Sequence, residues 1–169
     1  MIIFDAILII IVVVFIGLGY KFGAIHTFGA IIGAFIGAFL AGMFYEGLGL
    51  WLQSFFGLPN LMRIFAFIFI FLLINRLIGF IFYVIDKVFK FLSIIPFLKT
   101  INRLLGAILG FVESLLVIGL SLYMIARFPL SPWFTEILQT SLFVPWFIKA
   151  SVILQFLLPE VLRNIKSVI

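Results

Sequence analysis

Four stretches of this sequence are apolar over about the length a helix needs to cross a bilayer, and they constrain the fold more than any other feature. At a rise of 1.5 Å per residue, about 20 apolar residues cover a hydrocarbon core of roughly 30 Å. Residues 2–20, 24–45, 64–85 and 104–126 are such stretches, interrupted only by Asp5, His26, Arg76 and Glu113 respectively. Composition closes the alternative of a soluble globule. Of 169 residues 66% are hydrophobic and 10% charged, against about 25% charged in an average soluble chain, so too few polar side chains exist to cover a folded sphere in water. The expected fold class is an all-α polytopic membrane protein. Residues 1–126 form a four-helix transmembrane domain, interfacial segments follow the second and fourth helices, and residues 127–169 form an amphipathic C-terminal region at the membrane interface.

The first run lacks the basic leader and small-residue cleavage site of a signal peptide, so it is read as a helix. The link 21–23 is short enough to make the first two helices an antiparallel hairpin. Residues 46–62 mix Gly47, Gly49, Gly57, Pro59 and Asn60 with Trp51, Phe55 and Phe56, which predicts a short segment in the headgroup layer anchored by Trp51. Residues 86–103 interleave Lys87, Lys90, Lys99 and Arg103 with apolar residues around Pro96. That basic connector suits anionic-lipid contact or a coupling role; the plainer reading is a loop that sets topology by charge bias. The tail carries Pro129, Pro132, Pro145 and Pro159 with Trp133 and Trp146. Residues 142–158 are apolar, but Lys149 sits at their centre, so they are read as an interfacial helix, with a re-entrant or crossing segment as the alternative. Lys21, Lys87, Lys90, Lys99 and Arg103 gather on one side of the bilayer and only Arg63 and Arg127 lie near the other. The charge bias predicts cytoplasmic connectors and outward-facing termini.

Small residues recur at helical spacing. Gly29, Gly33 and Gly37 form a row continued by Ala41, beside a second row of Ala30, Ala34, Ala38 and Gly42. In lipid, apolar burial drives helix association weakly, and small side chains let backbones approach until dispersion holds them. The rows predict a packing face, against the first or fourth helix or against a second copy of the chain. Gly106, Gly110 and Ser114 repeat the device in the fourth helix, with Glu113 on the same face. Asn75 and Arg76 interrupt the third. Ionisable groups inside a span are costly unless paired, hydrated or neutral, so Asn75, Arg76 and Glu113 are candidate functional residues and a structural ion pair is the plainer reading of the charges. Counted from hairpin ends at 85 and 104, Arg76 and Glu113 fall at one depth, roughly 13–14 Å from the surface, with Asp86 opposite Arg103 at the base as an interface pair.

Chemistry-bearing patterns are sparse. The chain has no Cys, one His and six carboxylates, scattered without the spacing of a metal site, a nucleophilic triad or a phosphate-cradling glycine loop. No catalytic residue, cofactor or metal is expected, and the chain is not read as an enzyme. The net charge of +5 is membrane-side bias instead of a nucleic-acid footprint. The lipid bilayer is the expected partner.

Asp5, Gly17, Gly19-Tyr20-Lys21 and Gly23 precede the glycine/alanine helix, and Asn102-Arg103 leads into Gly106 and Gly110 at the fourth. With the tail motifs Pro132-Trp133, Ser141-Leu142, Pro145 and Pro159, the chain resembles the colicin V production protein (CvpA) family over nearly its whole length. Glu113 departs from that pattern, which often has a basic residue there, so no chemistry is carried over to it. The resemblance implies a bacterial inner-membrane protein that supports production or export of a peptide toxin and envelope function, and supplies no reaction; the charge bias makes its tail periplasmic. The resemblance further implies other membrane or secretion components as partners. The competing reading is a small oligomeric channel or transporter in which Arg76 and Glu113 line a wet path.

Overall fold

The computed structural model describes residues 2–92, 96–128, 131–160 and 163, with the side chains of all of these except 2, 86, 89–92 and 96–99. Four long helices follow one another: α1 (Ile2–Phe22), α2 (Ala24–Phe56), α3 (Pro59–Leu92) and α4 (Pro96–Arg127). Three short ones complete the chain: α5 (Pro132–Thr140), α6 (Val144–Ala150) and α7 (Val152–Gln155). No strand occurs among the described residues. All four long helices are long and apolar enough to cross a membrane.

The helix ends have local causes. Gly23 (φ 90°) and Gly57 (φ 70°) take backbone conformations that disfavour other residues, which makes each adjoining link as short as the chain allows. At Gly57 the backbone N–H donates to the Gln53 carbonyl, 2.8 Å away, closing the last turn of α2. Pro59 and Pro96 open α3 and α4, where a missing N–H costs nothing. Ser131 caps α5, its Oγ accepting from the Phe134 N–H at 3.2 Å, ahead of Pro132.

Two sequence expectations are corrected here. Residues 46–62 are no separate headgroup segment, because α2 runs unbroken through Trp51 to Phe56 and α3 starts at Pro59. Likewise α3 continues to Leu92 and α4 begins at Pro96, so most of 86–103 is helix instead of connector. Glycines and charges inside these stretches read as breaks, yet helix propensity differences of at most about 1 kcal/mol per residue do not stop a helix already supported by packing.

Packing pairs the helices as α2 with α3 and α1 with α4, both antiparallel. Along the first pair Gly29 meets Phe82, Gly37 meets Phe71 and Gly49 meets Arg63; along the second Gly19 meets Gly106 and Phe15 meets Gly110. Although α1 turns directly into α2, its main partner is α4. The core joins the pairs: Ala34, Ala38 and Ala41 of α2 lie against Phe67 and Phe71 of α3 and Leu120 and Met124 of α4. The tail folds back on this core. Leu154 and Leu158 enter it, while Leu138, Val144 and Phe147 pack with Leu8, Ile118 and Leu122. The outer faces of α1 and α3 leave Ile3, Ile10, Val13, Phe65, Phe80 and Val84 exposed, as a lipid solvent requires.

Candidate functional site

Three polar contacts sit within otherwise apolar helix seams, and each exists because small residues let two backbones close up. Gly33 of α2 is so near α3 that an added Cβ would lie 2.9 Å from the Asn75 carbonyl oxygen. Across that seam Asn75 Nδ2 donates to the Ala30 carbonyl at 2.7 Å, and Asn75 is 2% exposed. Four residues toward the C-terminus of α3, His26 Nδ1 lies 2.7 Å from the Gly79 carbonyl, with its ring against Phe22 and Tyr83. The row Gly29, Gly33 and Gly37 therefore faces α3, not the first or fourth helix, a correction of the expected partner. Small residues announce a close approach without naming who approaches.

Gly106 and Gly110 seat α4 against α1. A Cβ at Gly106 would run into the Gly19 carbonyl, and one at Gly110 would come within 2.5 Å of the Phe15 carbonyl. One turn before Gly106, Asn102 Oδ1 accepts from the Ala24 N–H at 2.9 Å, and the Thr27 hydroxyl donates to the Gly23 carbonyl at 3.0 Å. Asn102 thus satisfies a free donor at the start of α2 and ties the α1–α2 turn to α4. Sequence reasoning quoted Asn102 in a motif and assigned it no task. Arg103 lies with its guanidinium carbon 5.7 Å from the Tyr20 ring centre. The Asp86 side chain, its expected partner, is outside the described residues.

Glu113 lies one turn past Gly110 and is 5% exposed, with Oε1 buried and without a hydrogen-bond partner. Ser114 beside it is fully buried and turns its hydroxyl to the Phe111 carbonyl of its own helix. The charged group acting on the Glu113 carboxyl is Arg76 of α3. Arg76 is exposed, its guanidinium carbon 6.0 Å from the centre of the Phe15 ring. The helix ends differ from the 85 and 104 used to place the two at one depth: Arg76 is sixteen residues before Leu92 and Glu113 seventeen after Pro96. The expected ion pair does not close: among the described residues the one side-chain pair within 4 Å is Arg163 with Glu160, at 3.8 Å. Phe15 touches both helices, its backbone on Gly110 of α4 and its ring under Arg76 of α3.

Asp5 has a role the sequence did not reveal. The lone charge in the first apolar run, it accepts a hydrogen bond from the Ser141 hydroxyl and lies 3.5 Å from the Leu142 N–H. It latches the tail to the N-terminal end of α1. Ser141 Oγ in turn accepts from the Val144 N–H at 3.3 Å, so the latch continues into the start of α6. Gly119, also unremarked in the sequence, lets α6 lie on α4: a Cβ there would meet the Phe147 carbonyl. Gly119 is eight residues inside the Arg127 end of α4, about 12 Å of helix rise, so α6 seats well below that end.

Comparison with curated proteins and with solved structures gave no match. The family model described as colicin V production protein matches residues 4–152, a stretch that takes in the four long helices, the Asp5–Ser141 latch and the seating of α6. This multi-pass membrane protein therefore belongs to the colicin V production protein family.

Proposed function

We propose that the chain is a non-enzymatic inner-membrane protein that supports production or export of a peptide toxin, and envelope function more generally, by engaging other membrane or secretion components. Membership of the family over residues 4–152 carries this reading. The geometry suits it, because the small-residue seams spend the polar groups of α1 to α4 mostly on holding helices together. Colicin V released into the medium tests it, in producing cells lacking the gene and in the same cells given this chain back. Loss of released toxin and its restoration are expected, and unchanged release in the deletion would overturn the reading. Both termini outside and the α1–α2 and α3–α4 turns in the cytoplasm belong to the same proposal, supported by the bias of Lys and Arg.

A second reading has one observation in its favour, the unpartnered Oε1 of Glu113 with Arg76 exposed beside it. As an oligomeric channel or transporter, the protein would use the two as the lining of a wet path. Purified chain in liposomes distinguishes the readings: reproducible solute or ion flux abolished by Glu113→Gln favours the path, and its absence favours the supporting role.

A further inference from the structure

We propose that Glu113 is a proton-binding site inside the membrane, a carboxyl carried as the neutral acid between α1, α3 and α4 that takes up and releases a proton in response to pH. The inference stands apart from toxin production and requires no conduction.

The starting point is geometry. Glu113 is 95% buried by its 5% exposure, and its Oε1 has no donor. A carboxylate at such a place would have one oxygen buried without a donor and no closed ion pair, and a buried charge so placed is more costly than the neutral acid. Every element packed around it bears on the charge state. From α3 comes Arg76; α1 offers Phe15 and no ionisable side chain between Asp5 and Tyr20. Between His26 and Tyr45, α2 has none, and α4 has none other than Glu113 between Arg103 and Tyr123. One cation, out of contact and turned over the Phe15 ring, therefore answers one acid. The exchange is a single proton added to or lost from a carboxyl oxygen, with no other reactant. No other described carboxyl of the four long helices is both buried and without a partner. Asn75 and the His26 ring are engaged across the α2–α3 seam, and Asp5 is held by Ser141.

Dicyclohexylcarbodiimide, which partitions into membranes and adds to protonated carboxyls, tests this on the full-length chain in native membranes. Peptide mass spectrometry should find the adduct on Glu113, with labelling that falls as pH rises. A water-soluble carbodiimide should instead favour exposed acids such as Glu160. In Arg76→Gln the pH at which labelling falls should change, because the one cation that answers this acid is gone. No adduct on Glu113 in the wild-type chain, equal labelling by both reagents, or a profile unmoved by Arg76→Gln would overturn the proposal. The wild-type readout needs no variant to fold.

Discussion

At the scale of single residues, the seams make sharp distinctions between neighbours. Gly33→Leu should sharply lower the folded yield in membranes, because overpacking costs roughly 1–3 kcal/mol where neighbours can yield and here the neighbour is the Asn75 backbone. Ile32→Leu should cost less than about 1.5 kcal/mol; equal effects would show that the seam does not exist. Asn75→Leu should lose about 0.6 to 1.7 kcal/mol, the range for hydrogen bonds between membrane helices, measured by denaturation in detergent. For Arg76 and Glu113, a double-mutant cycle should give a coupling of no more than about 1 kcal/mol, below the several kcal/mol of a closed buried pair. A larger coupling would mean that the two charges meet. The sequence made the small residues and the three intramembrane polar groups visible because each is conspicuous in an apolar run. It did not make their partners visible. Whether Gly33 meets α1, α3 or α4, and whether Asn102 reaches the Ala24 N–H, depends on contacts between residues 42 and 78 positions apart, for which helical period carries no information.

At the scale of elements, the four spans were legible and their ends were not. Apolar length marks a crossing, but the glycines at 47 and 49 and the lysines at 87 and 90 sit inside helices that neighbouring turns sustain. Gly57 stops α2 where the glycines before it do not, since it alone among them takes positive φ. The tail was harder still. Its short helices are seated by Gly119 and by the Asp5 latch, one a single glycine in a leucine-rich helix and the other a bond between residues at opposite ends of the chain. Asp5→Ala should loosen the tail without unfolding α1 to α4, leaving a buried Ser141 hydroxyl that had a charged partner, a loss of roughly 1.5–3 kcal/mol. Limited proteolysis should then cut between α5 and α7 faster than in the wild type. Unchanged cleavage would show that the apolar contacts of Leu138, Val144 and Phe147 hold the tail by themselves.

At the scale of the whole molecule, pairing α1 with α4 and α2 with α3 brings the N-terminal end of α1 and the tail together at one end of the bundle, and the α1–α2 turn, the C-terminal end of α3 and the N-terminal end of α4 together at the other. In the orientation proposed from the bias of positive charge, that second end faces the cytoplasm. That arrangement matters to the proposed supporting role, since it decides which side α6 and α7 offer to partners. The absence of native cysteine permits a direct measurement, labelling of single-cysteine chains by a membrane-impermeant maleimide in cells with an intact inner membrane and a permeabilised outer one. Leu142 is 67% exposed and Lys87 is exposed at the opposite end, so both positions are reachable by a reagent on their own side. Leu142→Cys should be labelled at once and Lys87→Cys only after the inner membrane is broken. Prompt labelling at 87 with protection at 142 would contradict this orientation.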